Sequence, residues 1–532
     1  MGSSSLLDPS GLGSGAVDLG GRTGAPTGAL LQRKGARTEG WRTVKVVSLL
    51  TVFALAIQGF HPYAEDGGLY VAGIKKMLDP TLYAVRPEFV LAHLRFSPFA
   101  ATVASVARVT HIPLAWVLLA LDCGSVWATL FAGWMVITRC VDSLTGRCGA
   151  VALLACWLTI PIAGTSLMLM DPYVTARSVS TPLTLFAIAW AMDAMAGSWR
   201  GGVLCVLALL LAVVHPLMAG YALATIVVLL VVNASQPRVN RWGPGVLFGL
   251  ALTGAGVVQA LAPAESPQYV WAAMTRYYWF PLHWHWYELF GLAAPLLLLI
   301  ALGHRPGNSR WQTLAWAALI LGIVAGAVAL AFSRIELQTH LVARLQPLRC
   351  FQIVYEVMIL LLGAWVGERW LARRIWRWAA MLAVLGGAMF FVQRETYPAS
   401  SHIELPRSAP SNPWSQAFVW IRENTAKDAV FALDSHYITR DGEDAQGFRG
   451  IAERNALPDY SKDGGEASIT PALAAAWADG QAAQGGLNAE SDGIREAKLK
   501  PLGVGWVVLD RGSTTAWMCP FVNQTVKVCR LP

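Results

Sequence analysis

His61-Pro-Tyr-Ala-Glu-Asp-Gly-Gly-Leu-Tyr70 directly follows the first long apolar stretch of the chain, residues 46–60. That stretch is short but adequate to cross a bilayer once its flanking residues are included. Glu65 and Asp66 therefore stand where a helix leaves the membrane. Adjacent carboxylates at a lipid–water boundary are costly unless they are solvated, paired or used. Two interpretations stay open, a solvated loop that begins a helix and part of a functional site.

The composition indicates a polytopic membrane protein. Of 532 residues, 55% are hydrophobic and only 14% are charged, which excludes an ordinary soluble enzyme. The 23 Trp residues suit the two interfaces of a membrane. The net charge of +8 fits basic loops on one side of the membrane, and no basic run interleaved with aromatics predicts nucleic-acid binding.

Hydropathy and positive charge together predict eleven transmembrane helices. The predicted spans are residues 46–60, 113–138, 150–170, 179–196, 201–214, 217–233, 246–264, 289–302, 311–332, 351–366 and 378–392. Residues 97–110 are too short and polar for a confident span, and predict an interfacial or re-entrant helix. Fusing the fifth and sixth spans would place basic clusters outside, against the positive-inside rule.

Three regions follow from this pattern. Residues 1–40 are rich in Gly and Ser and predict a disordered cytoplasmic N-terminus. Residues 41–393 form the transmembrane domain. Residues 394–532 alternate helix and strand patterns, which predicts a small extracytoplasmic α/β domain. The fold class is thus mainly α, a polytopic membrane protein with a small C-terminal α/β domain.

The C-terminal region carries several local signals. Residues 413–425 and 472–478 predict helices, and residues 429–433, 504–509 and 525–528 predict strands. Cys519 and Cys529 lie in the region placed in an oxidising compartment, so they predict a disulfide.

On this topology four polar sets share the outer face of the membrane. Their members are Glu65, Asp66, Asp171, Arg177, His215, His340, Arg344 and Arg349. Carboxylates there can take a proton from an acceptor or hold a divalent metal ion. Arginines can bind the phosphate of a lipid carrier through two parallel hydrogen bonds.

Each of these residues also has a structural explanation. Asp171 before Pro172 is a common turn starter, Arg177 can mark a helix end, and His215-Pro216 can be a turn. Asp122 and Glu356 fall within predicted spans, where a functional or paired role is the default. Walker A, GxGxxG, HExxH and GxSxG motifs are missing from the sequence, so ATP-driven pumps, dehydrogenases and metalloproteases lack support.

The layout resembles the GT-C superfamily of membrane glycosyltransferases, and more closely its uncharacterised bacterial members, whose C-terminal region looks like a domain of unknown function. Glu65-Asp66 matches the family's first acidic position and Asp171 its second. The further matching pieces are Glu65-Asp-Gly-Gly-Leu-Tyr70, Ala176-Arg-Ser178, Thr181-Pro182, His215-Pro216, Gln346-Pro-Leu-Arg349, Phe448-Arg449, Glu453-Arg454 and Lys462-Asp463. The Trp-Trp-Asp motif of oligosaccharyltransferases is missing, which speaks against peptide glycosylation.

The resemblance implies an inverting glycosyltransferase that uses a polyprenyl-phosphate-linked sugar at the outer face of the bacterial cytoplasmic membrane. Asp66 or Glu65 would be the general base toward a glycan or lipid acceptor, and one acid should then have a raised pKa. Asp171 would assist or, with Asp66, hold a divalent metal ion, Mg²⁺ or Mn²⁺. Arg177 and Arg349 would hold the donor phosphate. The alternative is a non-enzymatic transporter or flippase component, or a degenerate relative, in envelope polysaccharide biogenesis.

Overall fold

The computed structural model describes residues 27–235, 242–306 and 308–532. Of the segment predicted to be disordered, residues 1–26 lie outside the described residues, whereas residues 27–40 belong to a helix. The chain divides into two compact units, Met1–Val46 and Val47–Pro532, and the candidate site lies within the second.

Helices dominate the described residues from 27 to 396. They are α1 (Thr27–Gln58), α2 (Glu65–Leu78), α3 (Glu88–Leu91), α4 (Phe99–Thr110), α5 (Leu114–Ile137), α6 (Leu144–Cys156), α7 (Ala176–Met195), α8 (Trp199–Ala212), α9 (Pro216–Ala234), α10 (Gly243–Ala260), α11 (Pro267–Met274), α12 (Trp286–Gly303), α13 (Ser309–Phe332), α14 (Leu341–Arg344), α15 (Phe351–Val366) and α16 (Ile375–Thr396). A short antiparallel hairpin, β1 (Pro161–Ile162) and β2 (Leu167–Met168), lies between α6 and α7.

Within the described residues, eight helical segments are long and apolar enough to cross a membrane. They are Gly40–Gln58 of α1, α5, α9, α10, α12, α13, the segment Leu341–Leu371 that contains α14 and α15, and α16. Of the other three predicted spans, residues 179–196 and 201–214 correspond to α7 and α8, and residues 150–170 are helical only in their first part, at the end of α6. α6 and α8 are apolar but short, and α7 has polar residues in its first turns.

The segments that connect these helices form two groups, and each of the three short helices runs from one group to the other. The connections after α5, α7, α12 and α15 form the first group and are joined by side-chain contacts. Arg139 pairs with Asp193, Ser143 donates a hydrogen bond to Glu368 (2.7 Å), and Arg305 pairs with the same Glu368 (2.7 Å). Connections that follow α1, α6, α8, α10, α13 and α16 instead line one cavity. Each of α6, α7 and α8 therefore links one group to the other.

The third predicted span is shorter than expected. Its helix ends at Cys156, and the chain then forms the β1–β2 hairpin instead of continuing to residue 170. Proline has no backbone N–H to donate within a helix and disfavours its continuation, and Pro161 begins a strand here. Gly164 has φ +66°, a left-handed conformation that favours glycine at the hairpin turn.

The predicted interfacial or re-entrant helix at residues 97–110 corresponds to α4. It is bent by 98° from the preceding helical segment Glu88–Phe96, which is the geometry of a broken span or a re-entrant loop. α2 packs on α4 through buried apolar side chains that include Val71, Ile74, Phe99 and Val103. Through this packing, α4 fixes the position of α2.

The C-terminal region forms a small α/β unit. Its elements are α17 (Pro413–Asn424), β3 (Val430–Leu433), α18 (Phe448–Ala452), β4 (Asn455–Ala456), α19 (Lys462–Ile469), α20 (Ala474–Gln484), α21 (Asp492–Leu499), β5 (Trp506–Asp510), β6 (Phe521–Val522) and β7 (Val526–Arg530). The sheet order is β4-β3-β5-β7-β6, with β3 parallel to β4 and β5 and the other pairs antiparallel.

Alternation along β5 explains the two cores of this unit. Val508 faces Trp414 and Phe418 of α17, whereas Val507 and Leu509 face the opposite side with Leu499. Cys519 and Cys529 are joined by a disulfide. The predicted helix at 413–425 and the three predicted strands are confirmed, and the fold is mainly helical with a small C-terminal α/β part.

The end of α1 is tied to the chain that leaves α16. Phe60 N–H donates to His402 O (3.0 Å), Glu404 N–H donates to Phe60 O (2.9 Å), and His61 Nδ1 lies 2.9 Å from Glu404 Oε1. Because α2 begins five residues after Phe60, these contacts fix where its acidic start lies.

Candidate active site

A large cavity of about 1330 Å³ lies among these connections. Its walls come from the start of α2, the β1–β2 hairpin, the loop before α7, the start of α9, the loop before α12, the segment before α15, and α19. Of the eight residues that the sequence predicts for the site, six line it. They are Glu65, Asp66, Asp171, His215, Arg344 and Arg349.

The start of α2 presents Glu65 and Asp66 to the cavity. Glu65 has φ +46°, an unfavourable left-handed conformation for a residue with a side chain. Contacts from the C-terminal region hold it. Gln446 Oε1 accepts a hydrogen bond from Glu65 N–H, and Gln446 Nε2 donates to Glu65 Oε1 (2.8 Å). Backbone strain retained in this way is common at functional sites.

Lys462, the first residue of α19, lies between the two acids. Its Nζ contacts Glu65 Oε2 and is 3.6 Å from Asp66 Oδ1. Burial lowers the pKa of Lys462, but the charges of Glu65 and Asp66 outweigh burial and raise it above its ordinary value. The side chain therefore stays a cation at neutral pH.

Asp66 is ionised at neutral pH. Burial raises its pKa, but the opposite charges of Lys462, Arg177 and Arg349 outweigh burial and leave the pKa below its ordinary value. The raised pKa expected of a general base is therefore not found on Asp66. It is found on two other acids of the cavity, Asp171 and Glu466.

Asp171 forms a buried ion pair with Arg177. The start of α7 aims the arginine, since Thr175 Oγ1 accepts a hydrogen bond from Arg177 N–H (3.2 Å) and Thr175 N–H donates to Ser178 Oγ (3.1 Å). Burial raises the pKa of Asp171 against the opposing charge of Arg177. Arg177 thus reaches the cavity through Asp171 and does not line it.

His215 caps α9 and faces the cavity as a neutral group. Its Nδ1 accepts a hydrogen bond from Met218 N–H (3.3 Å), so Nε2 carries the ring proton and can donate it to a ligand. Burial, together with the charges of Arg177 and Arg349, lowers the pKa of His215 to about 3. No charge change at this ring is expected near neutral pH.

Arg349 lies with its guanidinium 5.4 Å from the ring centre of Tyr278. Among the ion pairs of the described residues none involves Arg349, and its buried Nε has no hydrogen-bond partner there. Arg344 lines the same wall. An arginine placed in this way can bind an anion without first breaking a salt bridge.

His340 is the one predicted residue whose own contacts direct it elsewhere. Its Nδ1 lies 2.7 Å from Glu265 Oε2, and its backbone N–H donates to Glu265 Oε1 (2.6 Å). The ring is buried outside the cavity lining. Through these contacts His340 holds the loop before α14. They also explain why His340 does not line the cavity, although it was predicted for the same face of the membrane.

Among the cavity residues that were not predicted for the site, two charged ones lie on α19. Lys462 and Glu466 are four residues apart, so they lie on the same helical face. Glu466 is 3.6 Å from His93 Nδ1, and its pKa is raised to about 8 by burial and by the charges of Asp463 and Asp66. The signals available in the sequence were their i, i+4 spacing and, for Lys462, the piece Lys462-Asp463 that resembles the superfamily.

The predicted metal ion, Mg²⁺ or Mn²⁺ on Asp66 and Asp171, can be tested against the donor set. A divalent ion of this kind needs several free carboxylate or carbonyl oxygens. Here Lys462 engages Glu65 and Asp66, and Arg177 engages Asp171. Over the described ranges no three His, Cys, Asp or Glu side chains come together as a possible metal site. The residues therefore do not fit the ion.

Comparisons with known proteins gave one kind of match. No protein-family model matches the chain, and no curated protein matches it. Among solved structures, the Archaeoglobus fulgidus oligosaccharyltransferase tethered with an acceptor peptide containing the NVT sequon has a TM-score of 0.48 at 12% identity, covering 88% of this chain and 69% of that chain. The archaeal oligosaccharyltransferase AglB from the same organism, in complex with an inhibitory peptide and a dolichol-phosphate, has a TM-score of 0.46 at 12% identity, covering 89% and 70%. Similarity at this level assigns the chain to no family.

Proposed function

We propose that this protein is a membrane glycosyltransferase of GT-C type that transfers a sugar from a polyprenyl-phosphate-linked donor to a glycan or lipid acceptor. One observation carries the proposal: a single cavity between membrane helices joins the carboxylates of Glu65, Asp66 and Asp171 to Arg349, an arginine with no salt-bridge partner in the described structure. The sequence motifs that resemble the superfamily supply the same residues.

The donor side of the cavity is proposed to lie at Arg349. Its guanidinium can donate two parallel hydrogen bonds to a phosphate, and the neutral His215 can donate a third through Nε2. Tyr277 and Tyr278 offer ring faces for a sugar. Apolar lining from Leu167, Met168 and Leu217 suits the first isoprene units of a lipid carrier.

The acceptor side is proposed to lie at the start of α2. As the acceptor hydroxyl oxygen attacks the anomeric carbon, the bond from that carbon to the phosphate oxygen breaks, and the phosphate leaves with the bonding electrons. The hydroxyl proton passes to Asp66, or to Glu65, as general base. A phosphate leaving group needs no proton, and the nearby arginines stabilise its charge.

Binding of the donor's phosphate is tested with undecaprenyl phosphate and purified protein in detergent, by native mass spectrometry. Arg349→Ala is expected to weaken binding by about 10- to 100-fold, the range for a lost charged hydrogen bond. Arg349→Lys should restore only part of it, since an ammonium cannot form the forked contact. Arg334→Ala is the control, because Arg334 is outside the cavity and pairs with Glu336. Equal affinity of Arg349→Ala and wild type contradicts the donor assignment.

Transfer is tested with radiolabelled polyprenyl-phosphate sugars and isolated envelope acceptors. Asp66→Asn is expected to lower transfer by at least about 100-fold, the lower range of a general base's contribution, without changing expression or membrane insertion. Unchanged transfer by the Asp66→Asn, Glu65→Gln double variant leaves these acids with a structural role only.

The alternative, a transporter or flippase component, is favoured by Asp122 and Glu356. Both are fully buried within predicted spans, where ionisable groups often form relays. It predicts that wild-type protein in vesicles moves fluorescently labelled polyprenyl phosphate between leaflets, and that Asp122→Asn slows the movement. The transferase proposal predicts no movement above that of protein-free vesicles.

A further inference from the structure

Three cations from separate parts of the chain face the carboxylates of Glu65, Asp66 and Asp171. They are Lys462, Arg177 and Arg349. Of the three cations, Lys462 alone touches both members of the first acidic pair. An ammonium group therefore occupies the place where two adjacent carboxylates would otherwise converge on a metal ion.

Lys462 is held in place by contacts behind it. Its backbone N–H donates to Asp459 Oδ1 (2.6 Å), and Arg276 Nη1 donates to the carbonyl oxygen of Ser461 (2.8 Å). Trp477 Nε1 donates to the carbonyl oxygen of Asp459 (2.9 Å). With only 12% of its side chain exposed, Lys462 has already lost most of its water. The cation is thus preorganised before any ligand arrives.

A divalent ion at this position would meet two costs. It would have to strip the carboxylates from Lys462, leaving a buried ammonium without a partner, and removal of one member of a buried pair is strongly destabilising. It would also lie within a few ångströms of that ammonium, at an unfavourable Coulomb energy. A metal site here would need a neutral residue at position 462.

We propose that Lys462 is a fixed cation that takes the place of a divalent metal ion between Glu65 and Asp66, so that the cavity works without bound metal. The C-terminal region thereby completes the charge of a site whose acids belong to the membrane part. This assignment concerns which cation the acids hold, and it does not require that the cavity performs glycosyl transfer.

The test is a Mn²⁺ titration of purified full-length protein in detergent, followed by electron paramagnetic resonance. Wild type is expected to have no Mn²⁺ site that depends on Glu65, so wild type and Glu65→Gln should bind the same amount of Mn²⁺. Lys462→Met, which keeps the length of the side chain but not its charge, is expected to gain one Mn²⁺ site, at least tenfold tighter than any in wild type. The Lys462→Met, Glu65→Gln double variant should lose that site, and Lys462→Arg should behave as wild type.

Lys527→Met is the matched control, because Lys527 lies outside the cavity lining and donates to Ser513 O. It should leave Mn²⁺ binding unchanged. A Mn²⁺ site in wild type that Glu65→Gln abolishes overturns the proposal, and so does a well-folded Lys462→Met that gains no site. If Lys462→Met does not purify as a monodisperse protein, Mn²⁺ binding by wild type, Glu65→Gln and Lys462→Arg still tests the proposal. Since binding and not transfer is measured, failure of the transferase assay leaves this result readable.

Discussion

Glu466 is an acid of the cavity whose charge changes near neutral pH. Its pKa is raised from 4.5 to about 8, first by burial and then by Asp463 and Asp66. The folded state therefore holds a proton that the unfolded chain has already released above pH 4.5. The stabilisation is complete below that value and is lost as pH rises through 8.

Replacing Glu466 by Gln should remove this dependence. The wild-type free energy of unfolding is expected to fall between about pH 5 and 8, by up to about 1.4 kcal/mol per pH unit from this residue. The Glu466→Gln variant should lack that part of the fall and be more stable than wild type at pH 8. The pH dependence of stability is measured from the melting temperatures of both proteins in detergent at pH 5, 6, 7 and 8. Parallel curves for the two proteins would show that Glu466 does not titrate in this range.

Single residues also mark the limit of what the sequence could predict about the site. Glu65, Asp66, Asp171 and Arg349 could be placed together because hydropathy puts their loops at the same helix ends. Lys462 and Glu466 could not, since their position depends on the contact of Arg276 with the carbonyls before α19. Such a contact between distant segments leaves no periodic pattern. The partner of His340, Glu265, was hidden for the same reason.

Among the helices, α6 and α15 approach each other closely at the backbone of Gly149 and Gly363. A Cβ added to Gly363 would lie 2.6 Å from Gly149 O, and one added to Gly149 would collide with Gly363 O. Small residues at such crossings let membrane helices pack backbone to backbone. Since both atoms are backbone, neither can move aside without shifting a helix.

Gly363→Ala is therefore expected to destabilise the protein by about 1–3 kcal/mol, the usual cost of overpacking. The matched control is Gly124→Ala in α5, where an added Cβ meets nothing within 4 Å. Melting temperature and monodispersity after purification provide the measurement. Equal behaviour of the two variants would mean that α6 and α15 do not pack through these glycines.

Element boundaries were predictable where hydropathy or caps define them and not elsewhere. The helix after Asn412 could be predicted because Asn412 Oδ1 accepts hydrogen bonds from Trp414 and Ser415, a capping pattern that local sequence specifies. The third span was drawn too long, because residues 157–170 are apolar enough to resemble a helix. The β1–β2 hairpin within this stretch lines the cavity. Its apolar residues therefore belong to the wall of the cavity and not to a lipid-facing helix.

For the whole molecule, the number of crossings decides which side of the membrane holds the cavity. If α6, α7 and α8 are crossings, the total is eleven, and a cytoplasmic N-terminus places the C-terminal region outside. If they are not, eight crossings return it to the cytoplasm. The basic residues Arg139, Arg305 and Arg310 lie at the ends away from the cavity, and the positive-inside rule favours the first outcome.

A C-terminal alkaline phosphatase fusion in a bacterial host should therefore be active, and a C-terminal green fluorescent protein fusion dark. Fusions after Gly303, in the connection that follows α12, are the control and should show the reverse pattern. A fluorescent C-terminal fusion would place the cavity on the cytoplasmic side and overturn the proposed outer-face location.

The position of Lys462 late in the sequence has a consequence for how the protein is made. A ribosome delivers α1 to α16 to the membrane before it has translated α19, so the nascent chain carries Glu65 and Asp66 for some time without Lys462, the cation that touches both. Only the last part of translation supplies this cation. A product that ends before α19 would lack it, and cellular quality control can distinguish such a product from the finished chain by the missing charge.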